Sequence, residues 1–276
     1  MKYIELSNGL KMPLIGFGTY KVGDKEALLH AIKTGYRLID TAQVYANEQT
    51  VGEAIKESGV PREEFFIVTK LRFRNHSDPR PIIEESFKKL GVDVIDLFLI
   101  HWPYGNYYHA YKVLEEYYKE GRIRAIGVSN FEPARLIDLW QNVEIKPMVN
   151  QVEVNVYAQR LVEKQYYDKY GVATMAYAPL GHGVTPDLVN EPILLEIAKK
   201  HNKTGAQIAL KYLVQRGIII IPKSSHAERI EENFNLFDFE LSEEEMNKIK
   251  SMDLAKPIIG RPEDGAIAEK MYSKNE

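Results

Sequence analysis

The chain has 276 residues and a mass of 31.7 kDa, of which 45% are apolar and 27% charged, enough to fill a core and coat a surface, so it is neither disordered nor fibrous. A formal charge of −3, from 36 basic and 39 acidic side chains, gives no reason to expect nucleic acid as a partner. The absence of Cys excludes disulfides, thiolate metal sites and a Cys nucleophile, and no run approaches the ~18 apolar residues of a membrane helix.

The first residues lack the apolar core of a signal peptide, so a cytoplasmic protein is the expectation. Tyr3–Leu6 and Lys11–Leu14 flank Ser7-Asn8-Gly9, and Asn-Gly between apolar segments predicts a hairpin, placed to plug one end of a barrel. Eight β-rich runs follow: Leu14–Thr19, Tyr36–Thr41, Phe65–Leu71, Val94–Trp102, Ile123–Asn130, Pro147–Val154, Ala173–Leu180 and Gly217–Ser224. Most are continuously apolar, as strands buried on both faces of a parallel sheet are. Helical spacing fills the intervals at Lys25–Thr34, Asp78–Leu90, Asn106–Glu120, Pro192–Asn202 and Thr204–Arg216. Gly35, Gly91, Gly121, Gly171 and Gly217 punctuate the helix-to-strand turns. Eight successive βα units predict a closed eightfold parallel β/α barrel as one domain over 1–276, with a doubly wound open sheet as the competitor. Extra helices near the C-terminus are expected at His226–Asn235 and after Ser242, where Glu245 completes a capping box. The tail from Pro257 reads as a loop crossing a surface, with Gly260–Glu276 expected to border the pocket.

In such barrels chemistry sits at the C-terminal strand ends. Asp40, Lys70, His101, Ser129-Asn130, Gln151, Tyr177 and Lys223-Ser224 all fall there, and Tyr45 follows Asp40 by five residues. Each alone has an ordinary reading, as a turn residue, a solvent-facing cation or a packed aromatic. Together Asp, Tyr, Lys and His form an acid–base set. A phenol's ordinary pKa near 10 is too high for easy donation, a neighbouring ammonium is expected to lower it, and a carboxylate would hold that ammonium in place. Such a site suits protonation of a developing alkoxide. Gly16-x-Gly18 lacks the third Gly of a dinucleotide fingerprint, because position 21 is Lys. Gly127-Val128-Ser129-Asn130-Phe131 lacks the second Gly of a nucleophile elbow. None of the 7 His lies three or four residues from another, so no helical zinc pair is expected. Paired carboxylates such as Glu84-Glu85 and Glu243–Glu245 read as solvated helix faces.

The chain resembles the aldo-keto reductase family over nearly its whole length, in its compact bacterial form. The resemblance rests on Gly16-Phe17-Gly18-Thr19, Leu38-Ile39-Asp40-Thr41-Ala42 with Tyr45, Asn47-Glu48, Val68-Thr69-Lys70-Leu71, and Leu99-Ile100-His101-Trp102-Pro103. It continues through Gly127–Phe131, Asn150-Gln151, Tyr177–Gly181, and Ile221-Pro222-Lys223-Ser224 with Arg229, Glu232 and Asn233. It implies an NADPH-dependent reductase of aldehydes, ketones or sugars, monomeric, with a small carbonyl compound as partner. It implies Tyr45 as general acid, Lys70 and Asp40 as the pair tuning it, and His101 as the group orienting the carbonyl. It assigns Ser129, Asn130 and Gln151 to the cofactor's carboxamide and Tyr177 to stacking on its nicotinamide ring. Lys223, Ser224 and Arg229 are assigned to the 2′-phosphate, Glu232 and Asn233 to adenine, and Gly18, Thr19 and Leu180 to further cofactor contacts. Many relatives carry Trp where this chain has Tyr20 and Arg72, while Trp102 is retained, so these three line the expected substrate pocket. Arg72 or Arg74 facing that pocket would favour anionic carbonyl compounds; both turning to solvent is the simpler expectation. Two rival functions use the same barrel: an NADPH-binding sensor or regulatory subunit, and a phosphate-handling isomerase or aldolase using Lys70 as a Schiff base.

Overall fold

A computed structural model describes residues 2–181 and 187–273. Strands β1 (Tyr3–Glu5) and β2 (Lys11–Pro13) form the antiparallel hairpin, with Tyr3 opposite Pro13. Gly9 takes φ 82°, and Asn8 accepts from the Leu10 amide at 3.1 Å. The Asn8 amide donates to the Arg124 carbonyl, just ahead of a barrel strand, which seats the turn at the N-terminal end of the barrel.

Eight parallel strands follow: β3 (Gly16–Gly18), β4 (Leu38–Asp40), β5 (Phe66–Leu71), β6 (Leu97–Ile100), β7 (Ile126–Ser129), β8 (Val149–Glu153), β9 (Ala173–Tyr177) and β10 (Ile219–Ile220). Each pairs with the next in sequence. The first and last meet at a seam, where Ile15 bridges Ile220 and the Gly18 amide donates to the Pro222 carbonyl at 3.1 Å. That closure decides for the barrel over the open sheet. Both faces of the strands are buried, as their unbroken apolar runs predict: Ile39, Val68, Leu99 and Val128 have no exposed surface. Burying each such side chain stabilises the fold by roughly 1.5–3 kcal/mol.

Helices α1 (Lys25–Thr34), α2 (Glu48–Glu57), α3 (Arg80–Leu90), α4 (Tyr107–Lys119), α5 (Pro133–Asn142) and α6 (Leu161–Lys169) connect the strands, and α7 (Pro192–His201) and α8 (Gly205–Gln215) share the last crossover. Gly91 ends α3 in the left-handed region at φ 65°, where its amide reaches the Phe87 carbonyl; a side chain would be strained there. After β10 come α9 (Ala227–Phe234), α10 (Glu243–Lys250) and α11 (Gly265–Ser273). Ser242 and Glu245 form the expected capping box on α10. Glu245 is nonetheless not part of a solvated face: it is buried, and its carboxylate also meets His201 Nε2 at 3.0 Å. The tail departs from expectation as well. It carries α11, held less by its own burial than by bonds to distant loops: Arg74 Nη2 donates to the Met271 and Tyr272 carbonyls, and Tyr104 to Pro262. Residues 274–276 of that tail lie outside the described residues. Among the described residues no helix is long and apolar enough to cross a membrane.

Candidate active site

The C-terminal strand ends surround a cleft of about 990 Å³. Strand alternation decides what faces it. Asp40 ends β4, 2% exposed, and Lys70 lies on the neighbouring β5 with no exposed surface at all. Lys70 Nζ donates to Asp40 Oδ1 at 2.6 Å and to the Thr41 carbonyl at 2.8 Å. It also stands 3.4 Å from the Tyr45 hydroxyl and 4.9 Å from that ring's centre. Tyr45 reaches this point because β4 turns into a single 3-10 turn, Gln43–Tyr45, closed by Ala46 at φ 54°. His101, the first residue after β6, presents its ring edge-on to Tyr45 at 5.9 Å. Asp40, Tyr45, Lys70 and His101 thus converge on one point, with Lys70 beneath the cleft floor rather than lining it.

Electrostatically this floor is a dry site. Burial pushes the Asp40 carboxyl up and the Lys70 ammonium down, each opposed by the other's charge. Burial also holds the His101 imidazole well below its usual range, with the Lys70 charge adding to it, so the ring is neutral. The expectation for Tyr45 is corrected. Burial, with the Asp40 charge second, pushes its phenol well above the ordinary value despite the nearby ammonium, so it keeps its proton.

Above the floor, Asn130 follows β7 in the left-handed region at φ 63° and donates to the His101 carbonyl at 3.1 Å. The Tyr177 hydroxyl donates to Asn130 Oδ1 at 2.9 Å, and Ser129 Oγ donates to the Gln151 carbonyl at 2.8 Å. Gln151 spends its Nε2 on Asp40 Oδ2 at 2.7 Å, leaving its side-chain oxygen as the group able to face an amide N–H. At the far end Lys223, Ser224 and Arg229 line the cleft around the start of α9 and Glu232 and Asn233 from its last turn, and Gly18 and Leu180 line its sides. Ser224 Oγ accepts from the His226 amide at 3.0 Å, and Glu232 accepts from Thr204 Oγ1 at 2.5 Å. Thr19 is a correction: it is fully buried, donates to the Asp40 carbonyl at 2.9 Å, and does not reach the cleft.

Tyr20, Arg72 and Trp102 line the remaining end, together with Arg74. Both Arg side chains therefore border the cleft instead of simply turning to solvent. Phe73 and Ile259 line it too and escaped the sequence reading, and Met271 lines it from the tail expected to border the pocket. Met271 enters only through α11, a helix hidden by the Gly and Pro residues around it.

The model of the Aldo/keto reductase family matches residues 14–254. A 9,11-endoperoxide prostaglandin H2 reductase of Trypanosoma cruzi (strain CL Brener) is 42% identical over 268 residues, 95% of each chain. A glyoxal reductase of Bacillus subtilis (strain 168) is 43% identical, over 95% of this chain and 96% of its own. The crystal structure of an aldo-keto reductase from a Medee basin deep-sea metagenome library superposes with a TM-score of 0.90 at 42% identity, covering 95% of this chain and 98% of that one.

Proposed function

The chain belongs to the aldo/keto reductase family, and from that premise we propose that it is an NADPH-dependent reductase of small aldehydes and ketones, with Tyr45 as proton donor. The observation that carries this reading is the convergence of Asp40, Tyr45, Lys70 and His101 on the floor of one cleft.

The donor set suits the cofactor. A cleft of about 990 Å³ is at the upper end for a small-molecule site, with room for a dinucleotide and a small carbonyl compound. Lys223, Arg229 and Ser224 offer two cations and a hydroxyl to a 2′-phosphate, at the start of α9. Ser129, Asn130 and Gln151 offer the donors and acceptors that a carboxamide needs, and Tyr177 offers a ring face beside them. NADPH, when bound, supplies the hydride.

The chain's own residues manage the proton. Tyr45 holds it on its phenol oxygen and gives it to the carbonyl oxygen as that oxygen gains charge. The phenolate left behind faces the Lys70 ammonium 3.4 Å away, and Asp40 keeps that ammonium charged in a site where burial opposes charge. Neutral His101 orients the carbonyl oxygen toward Tyr45. Positioned proton donation of this kind contributes about 10²–10⁴-fold in rate. Run backwards, the same residues accept a proton from an alcohol. Arg72 and Arg74 at the substrate end favour a polar or anionic carbonyl compound. The reading carries with it a monomer acting in the cytoplasm.

The test is loss of nicotinamide absorbance with an activated aromatic aldehyde, with NADPH matched against NADH. Turnover far higher with NADPH is expected, and Arg229→Ala should shrink that preference by roughly 10–150-fold, the worth of one hydrogen bond to a charged group. No turnover with either nucleotide, or a preference untouched by Arg229→Ala, would sink the corresponding half of the reading.

A further inference from the structure

The side chain at Glu153 has no part in the chemistry above, yet it is completely buried at the mouth of the barrel. It lies two residues beyond Gln151 on β8, so both side chains point to the same side of the strand. Its backbone is in register with Tyr177 on β9. Three successive backbone amides of the C-terminal tail hold this buried carboxylate. Ile258 donates to both oxygens at 3.1 Å, and Ile259 and Gly260 donate to Oε2 at 2.6 and 2.8 Å. Asn155 Nδ2 adds a bond to Oε1 at 3.2 Å. Consecutive amides turned toward one point form an anion-binding nest, and bonds of this type are about twice as strong as neutral ones.

The nest sits against the site. A Cβ added to Gly260 would lie 1.6 Å from the Tyr177 hydroxyl and 3.2 Å from Asn130 Oδ1, so this backbone is packed on the very pair that the reductase reading gives to the nicotinamide. Ile259 faces the cleft beside it. Downstream, the tail is tied again by the Tyr104 hydroxyl on the Pro262 carbonyl and by the Gly105 amide on the Tyr272 hydroxyl.

We propose that Glu153 is a positioning residue: its carboxylate latches the 258–260 strap onto Tyr177 and Asn130, fixing the cleft wall that meets the carbonyl substrate. This rests on the reductase reading for its kinetic consequence but not for the latch itself. Glu153 accepts from all three amides with full charge, whereas Gln in its place keeps one acceptor oxygen, loses the charge and turns an NH2 group toward the Ile258 amide and Asn155 Nδ2, which weakens the latch.

Two readouts on the full-length protein test it. The first is hydrogen exchange at the amides of Ile258, Ile259 and Gly260. Glu153→Gln should speed exchange there at least tenfold while the strand amides of β5 and β6 keep their protection; unchanged protection at 258–260 overturns the latch whatever the enzyme does. The second is kinetic. Glu153→Gln should raise KM for the aldehyde at least tenfold and weaken NADPH binding by clearly less, since only the Tyr177–Asn130 end is loosened while Lys223 and Arg229 stand on other elements. Gly260→Ala moves the same strap while keeping the carboxylate and should also raise KM for the aldehyde, with a further loss of NADPH affinity because its Cβ meets Tyr177. Combining the two should cost no more than either alone, because both release one element. Independent, multiplying losses overturn the proposal, as does wild-type KM in folded Gly260→Ala, which also decides the matter if Glu153→Gln does not fold. A wild-type chain that binds NADPH but reduces nothing counts against the reductase reading and leaves hydrogen exchange to judge the latch.

Discussion

Replacing Lys70 with Met removes the cation beneath the cleft and leaves Asp40 buried with, among the described residues, Gln151 as its side-chain donor. The two charges are 2.6 Å apart and essentially without exposed surface, so water cannot take over from the missing partner. Breaking a buried pair from one side costs about 3–5 kcal/mol. For a chain of this size that lowers the melting temperature by roughly 6–20 °C. The deficit should depend on pH. Burial already raises the Asp40 pKa above its unfolded value, and losing Lys70 raises it further. A carboxyl with a raised folded pKa gives stability that is present at low pH and lost as pH rises through that value. The gap between variant and wild type should therefore be smallest near the ordinary carboxylate value of about 3.9 and widen as pH rises from there toward neutral. Circular dichroism melting across that range measures it, and the double replacement Asp40→Asn with Lys70→Met should recover most of the loss at neutral pH. A Lys70→Met protein that melts like wild type, or a double variant no better than the single one, would refute the account of the floor as a desolvated pair.

Two other outcomes follow from the structure. Because His101 is held neutral and Tyr45 protonated, the saturated rate of reduction should be flat between about pH 6 and 8, and a step centred near the ordinary imidazole value of about 6.5 would show that His101 titrates. A Cβ on Gly127 would lie 2.4 Å from the Val149 carbonyl and 2.9 Å from Leu99 Cδ2, so Gly127→Ala should cost about 1–3 kcal/mol, read as a lower urea midpoint at unchanged slope.

Much of this molecule was legible from sequence because strand burial writes itself into composition. Runs such as Phe66–Leu71 and Leu97–Ile100 admit only Lys70 as an ionisable residue, and that one exception belongs to the site. The residues closing the strands were legible for the same reason, as polar groups at the edge of apolar runs. What escaped depends on depth or on distant contacts. The spacing of Asp40, Tyr45 and Lys70 places an ammonium beside a phenol, but not the burial that reverses the expected direction of the phenol's pKa. Thr19 stands in a glycine motif beside Tyr20, yet its hydroxyl turns to the Asp40 carbonyl, and nothing local distinguishes the two directions. Helix α11 buries none of its own residues, so no amphipathic signal announces it; it is anchored by Arg74 and by the packing of Tyr272 on Phe73, some 198 residues away in the chain. Glu153 was within reach, since alternation puts it on the same side as Gln151, but three of its partners are backbone amides of the tail, which have no signature in a sequence.

The seam between Ile15 and Ile220 also sets the order of assembly. Asp40, Tyr45, Lys70 and His101 emerge early during synthesis, whereas β10, Lys223 and Arg229 emerge near the end. Until β10 arrives, β3 and β9 are open sheet edges, able to pair with other chains. A ribosome-stalled fragment ending before Gly217 should therefore stick to its neighbours, and only a few further residues, completing a strand of just Ile219 and Ile220, turn that hazard into a sealed ring.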